Sequence, residues 1–167
     1  MRCRVSLRTA HGSRRGVLET NLAKAIDLAA PTGIDVLIEA INAVDMPGYF
    51  FTHTQQAADI IAAVGAPNFG LQLDLCLRHR VEGDAAGAID CYTGITRYYQ
   101  IAGAPDRGEP IPSDLNVGDV SQRIDASGFD GWVGCEYRPP GRTSDGLAWR
   151  KDLGVPTPAN AARHDRV

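Results

Sequence analysis

Between positions 35 and 42 the chain reads Asp-Val-Leu-Ile-Glu-Ala-Ile-Asn, an apolar run that opens on Asp35 and is interrupted by Glu39. It is too continuous for a strand with one wet face. It reads as a short strand buried on both sides, as in a parallel sheet covered by crossover helices. Three further runs of this kind follow, Asn68 to Leu75, Tyr98 to Ala102 and Gly131 to Tyr137. Helical segments lie between and around them. Leu18 to Ala30 places Leu18, Leu22, Ala25, Ile26 and Ala29 on one face and is stopped by Pro31 and Gly33. Thr54 to Val64, Asp84 to Tyr92, Val120 to Ala126 and Ser144 to Leu153 complete the set. The order αβαβαβαβα implies right-handed crossovers and one parallel sheet, an α/β fold of about four βα units.

Composition narrows the function. A chain of 167 residues with 44% hydrophobic residues can bury the core of one domain. A net charge of −3 without a basic stripe argues against a nucleic-acid partner. No apolar run reaches the ~18 residues of a membrane span. Cys3, Cys76, Cys91 and Cys135 show no Cys-x-x-Cys pairing and read as reduced thiols of a cytoplasmic protein. Residues 1–16 carry five arginines and no acid and read as a disordered basic leader. Residues 17–153 form the folded domain, and 154–167, rich in Pro and small polar residues, read as a disordered tail.

Each buried run carries one oxygen-bearing side chain at or near its C-terminal end: Glu39, Asp74, Gln100 and Glu136. They are separated by 35, 26 and 36 residues (39 to 74, 74 to 100, 100 to 136). A βα unit takes about 30 residues, so each unit supplies one polar group at the same level. In parallel α/β architectures that level is where active sites form. A carboxylate inside an apolar strand is costly to desolvate unless it is paired or bound to metal. Three carboxylates and an amide make an all-oxygen set, which suits Mg²⁺ or Mn²⁺ over zinc or copper. A divalent ion so held can grip adjacent carbonyl and hydroxyl oxygens and stabilise an enediolate. Two flanking carboxylates, Glu39 and Glu136, can then move a proton from one carbon to the next.

Longer strings carry a resemblance. Leu37-Ile-Glu-Ala-Ile-Asn42, Asp45-Met-Pro-Gly-Tyr-Phe50, Leu71-Gln-Leu-Asp-Leu75, Glu82-Gly-Asp84, Gln100-Ile-Ala102 and Gly128-Phe-Asp-Gly-Trp-Val-Gly-Cys-Glu-Tyr137 resemble the hydroxypyruvate isomerase family. That family includes 2-oxo-tetronate isomerases and belongs to the xylose-isomerase-like TIM barrels. The resemblance runs from about Leu18 to Leu153. It implies that Glu39 and Glu136 are the proton donor and acceptor. It also implies that Glu39, Asp74, Gln100 and Glu136 ligate a divalent metal. The expected reaction is an aldose–ketose type isomerisation of hydroxypyruvate or a similar short sugar acid. The alternatives are a non-catalytic remnant or interaction subunit that keeps the motif, and a sugar epimerase or phosphodiester-cleaving nuclease on the same scaffold. The nuclease is disfavoured because its metal-site histidines are missing.

The chain departs from the family in places. Asp74-Leu-Cys-Leu77 stands where the family usually has Asp-Leu-Tyr-His. Tyr98-Tyr-Gln-Ile-Ala-Gly103 replaces His-Val-Gln-Ile-Ala-Asp, and Arg107-Gly-Glu-Pro110 replaces Arg-His-Glu-Pro. Only the last four of eight βα units are matched, with the helix before them. The expected fold is therefore a partial (β/α)8 TIM barrel with two open sheet edges. Its expected partners are a sugar-acid substrate and either a complementary half-barrel or a second copy. Cys135, Trp132 and Trp149 read as core or packing residues. His11 and His164 read as solvated, His79 as a surface residue, and His53 as a helix cap or pocket residue. Arg107 and Glu109 read as loop residues able to orient substrate.

Overall fold

A computed structural model describes residues 12–111 and 113–154 of the protein. Along them run α1 (Gly12–Ala29), β1 (Val36–Ile38), α2 (Thr54–Val64), β2 (Phe69–Asp74), α3 (Leu75–Glu82), α4 (Ala85–Tyr92), β3 (Thr96–Ile101), α5 (Val117–Ala126) and β4 (Trp132–Cys135). The strands form one sheet in the order β1-β2-β3-β4, every neighbouring pair parallel. Parallel neighbours need long crossovers, and the helices between the strands supply them. This is the partial α/β barrel that the alternation of runs implies.

Side-chain alternation divides the sheet into two faces. Leu71 and Leu73 of β2 and Tyr99 and Ile101 of β3 point one way and are at most 4% exposed. They join one core with Ala57, Ile60 and Ile61 of α2, Ala85, Ala88 and Ile89 of α4, and Val117, Val120 and Ile124 of α5. The three- and four-residue spacing of those helical residues is what turns one face of each helix to the sheet. Gln72, Asp74 and Gln100 point the other way.

Local chemistry fixes the junctions. Gly65 and Gly83 end α2 and α3 at φ of 65° and 74°, a left-handed conformation open to glycine at no steric cost. Asp84 caps α4 by accepting from Gly87 N at 2.7 Å, and Asn116 caps α5 by accepting from Asp119 N at 3.2 Å.

Four features differ from the sequence expectation. Helix α1 begins at Gly12, so residues 12–16 belong to it and not to a leader; residues 1–11 and 155–167 lie outside the described residues. Strand β1 spans three residues, and Glu39 stands just past its end. Helix α3 follows β2 with no intervening loop, because Asp74 both ends the strand and caps the helix through Leu77 N at 2.9 Å. The helix expected over Ser144 to Leu153 is a single 3-10 turn, Ala148–Lys151. Only Trp149 of that turn is buried, so one anchor replaces an apolar face.

Candidate active site

Asp74 ends β2, Gln100 is the penultimate residue of β3, and Glu39 and Glu136 each follow directly on β1 and β4. Asp74 is in register with Gln100, and Gln100 with Gly134, two residues before Glu136. All four sequence candidates therefore stand on one face at the C-terminal end of the sheet.

A fifth residue joins them. Gln72 Nε2 donates to Glu39 Oε2 at 3.1 Å and to Gln100 Oε1 at 2.8 Å. Gln100 Nε2 donates onward to Glu136 Oε2 at 2.7 Å. The two carboxylates of the sheet's edges are thus linked through two carboxamides of its centre. Gln72 was absent from the sequence candidates, although the alternation Leu71-Gln-Leu-Asp74 puts it on the same face as Asp74.

The positive charge comes from a loop. Arg107 Nη2 donates to Asp74 Oδ2 at 2.6 Å and lies 3.3 Å from Glu136 Oε2. Its backbone is left-handed, with φ of 61°. The loop is pinned on both sides of it, by Gly103 N to Gly108 O at 2.9 Å and by Arg138 N to Arg107 O at 2.7 Å. Gly103 is required there, since a Cβ would collide with the Glu109 carbonyl. Glu109 turns away from the cluster and sets its carboxylate against Gly146.

Burial and crowding set the electrostatics. Desolvation, then the charges of Asp74 and Glu136, push the Glu39 carboxyl up to about 7, against the pull of Arg107 and Gln72. Burial also raises Asp74, although Arg107 and the Leu77 N–H favour its ionised form. Glu39 Oε1 and Arg107 Nη1 are buried without a hydrogen-bond partner. Among the described residues, no three His, Cys, Asp or Glu side chains are gathered closely enough to hold a metal ion as they stand. The carboxylates are spaced by Gln72 and Gln100 and compensated by Arg107. The donor set nevertheless fits a hard divalent cation: it is all oxygen, one carboxylate oxygen lacks a partner, and mutual repulsion raises Glu39.

The remaining candidates fall elsewhere. His53 precedes α2, its N–H capped by Gln56 Oε1 at 3.0 Å, and its ring faces Glu82 at 3.9 Å. His79 lines a surface groove with Asp84, Asn116 and Arg123. Trp149 is buried and packs edge-on against Tyr137, as expected of a packing residue. Trp132 and Cys135 are not core: Trp132 is 81% exposed and Cys135 is exposed. Both lie on β4, which has a strand partner on one side only. His11 and His164 lie outside the described residues. Among the described residues, no helix is long and apolar enough to cross a membrane.

The chain is similar to known proteins. The chain is 44% identical to a 2-oxo-tetronate isomerase from Cupriavidus necator over 131 residues, 78% of this chain and 50% of that protein. It is 37% identical to a hydroxypyruvate isomerase from Escherichia coli over 132 residues, 79% of this chain and 51% of that protein. A crystal structure described as an AP endonuclease, family 2, from Brucella melitensis superposes with a TM-score of 0.79 at 39% identity. That match covers 83% of this chain and 54% of the other. The chain thus spans about half the length of the relatives it matches. The model of the xylose isomerase-like TIM barrel matches residues 7–153, nearly the whole folded region. The parallel sheet and these matches agree, and the chain belongs to the xylose isomerase-like TIM barrel family.

Proposed function

We propose that this chain carries the metal-binding and proton-transferring part of an isomerase acting on a small hydroxy-carbonyl sugar acid. The observation that carries the reading is the gathering of Glu39, Asp74, Gln100 and Glu136 on one face, with Glu39 raised to about 7 by burial and its acidic neighbours. The likeness to hydroxypyruvate and 2-oxo-tetronate isomerases supports it.

Glu39, Asp74, Gln100 and Glu136 would hold a divalent ion, Mg²⁺ or Mn²⁺. Such an ion supplies polarisation of a substrate carbonyl and stabilises the negative charge that develops on it. The proton work falls to the chain itself. Glu39 suits a general base that takes a proton from one carbon of the substrate. Glu136, at the opposite edge of the sheet, delivers a proton to the neighbouring carbon, and exchange with solvent then resets the two carboxyl groups. Arg107 supplies positive charge beside them. No histidine is among the gathered side chains, which weighs against a phosphodiester-cleaving role.

The test is exchange of substrate carbon-bound hydrogen with deuterium from solvent, using hydroxypyruvate with Mg²⁺ or Mn²⁺. The expected result is metal-dependent exchange that Glu136→Gln and Glu39→Gln each reduce at least about a hundredfold, the scale of a lost general base. Exchange unaltered by either variant overturns the reading. Metal-induced stabilisation without any exchange marks a binding subunit that does not turn over.

A further inference from the structure

Four donors have a role in the proposed reaction; Gln72, at their centre, has none. Its Nε2 donates both to Glu39 Oε2 and to Gln100 Oε1. A carboxamide NH₂ carries two hydrogens, so both are committed. Gln100 must then present Oε1 to Gln72 and turn its own NH₂ toward Glu136. Turning the Gln100 amide over would set NH₂ against NH₂ on one side and oxygen against carboxylate on the other. The same bond decides which oxygen of Glu39 is free. Oε2 is tied to Gln72, and Oε1 is the buried oxygen without a partner.

We propose that Gln72 is a positioning residue: its two hydrogen bonds set the orientation of the Gln100 amide and hold Glu39 and Glu136 in fixed relation across the sheet. Other side chains of its size fail for physical reasons. Leucine or methionine leaves Glu39 Oε2 and Gln100 Oε1 without a donor. Glutamate adds a further carboxylate between Glu39 and Gln100 and cannot donate to either. Asparagine is one methylene short of spanning both acceptors. The catalytic consequence rests on the isomerase reading above, whereas the amide orientation stands on the geometry alone.

Nuclear magnetic resonance on the isotope-labelled full chain, without added metal, tests the orientation. The Gln100 side-chain NH₂ is expected to contact the Glu136 methylenes and to be protected from hydrogen exchange. In Gln72→Met, close in shape but without donors, that protection falls about tenfold, the scale of one hydrogen bond, while backbone resonances of β2 and β3 stay in place. In Gln72→Glu the Gln100 NH₂ turns to the introduced carboxylate and its contact with Glu136 disappears. If Gln100 keeps its contact and protection in whichever variants fold, Gln72 does not orient it and the proposal is overturned. With hydroxypyruvate and Mn²⁺, Gln72→Met is expected to lower kcat for deuterium exchange about tenfold and leave KM within about twofold, since geometry and not binding is lost. An unchanged kcat overturns the positioning role. No exchange even in the unaltered chain counts against the isomerase reading alone, and the amide spectra still decide the role of Gln72.

Discussion

The two inner strands and the two outer strands carry the same kind of chemistry under opposite conditions. Strands β2 and β3 each span six residues and are paired on both sides, and their polar residues are nearly buried: Asp74 is 3% exposed and Gln100 9%. Strands β1 and β4 span three and four residues, and the Glu136 side chain is 61% exposed. The inner donors are fixed by the ladder, by the α3 cap and by Arg107. The outer ones follow the ends of their strands and are held by amides reaching outward from the centre. The two outer carboxylates differ in turn: Glu136 stands open to solvent, whereas burial raises Glu39.

The contrast is tested most strongly by deleting one carboxylate from each region. Asp74→Ala removes the α3 cap and takes from Arg107 the partner it contacts most closely. The expected loss is about 3–5 kcal/mol, the cost of leaving a buried ion without its partner. Glu136→Ala leaves the Arg107–Asp74 pair intact and should cost at most about 1 kcal/mol. Urea denaturation of both variants measures the difference, and equal losses would abolish it. A milder test uses apolar residues. Leu71→Ala, at a fully buried position of β2, should cost about 2–5 kcal/mol. Val133→Ala, 40% exposed on β4, should stay within about 0.5 kcal/mol. A Val133 variant as damaging as the Leu71 variant would mean that the β4 edge is covered.

A further test is a slope in pH. Glu39 has an ordinary value near 4.5 and stands at about 7 in the folded chain. Between those values the folded state keeps a proton that the unfolded chain has released. The stability tied to this group is therefore full below about pH 4.5 and is lost as pH rises through about 7. Asp74 is pushed in the same direction. The urea midpoint should fall between pH 5 and pH 8, and Glu39→Gln should flatten that fall. A slope identical in the two proteins would remove Glu39 from the cluster.

Much of this was legible in the sequence. The apolar runs marked the strands, but not their burial: only one face of the sheet joins the core, the other carries Gln72, Asp74 and Gln100, and β4 is largely exposed. One oxygen donor per run gave the four residues that meet. What stayed hidden depends on contacts distant in sequence. Helix α3 was missed because Asp74 serves strand and helix at once, leaving no turn residues to mark a boundary. Arg107 was read as a loop residue able to orient substrate, but its pairing with Asp74 was not; that reach depends on the Gly103–Gly108 bridge and a left-handed backbone. Trp132 and Cys135 look like core by composition, yet their strand lies at an edge of the sheet, which local sequence does not reveal. Gln72 was within reach, because period-two alternation from Asp74 places it on the same face.

The proposed reaction depends on oxygen donors from four consecutive strands meeting around one cation. Titration of Mn²⁺ into the full chain, read by electron paramagnetic resonance, tests it most directly. The account predicts one saturable site per chain with oxygen ligation, abolished by Asp74→Asn and weakened by Glu39→Gln, Gln100→Leu and Glu136→Gln. Mn²⁺ that stays free in solution, or binds equally well to all four variants, would contradict it.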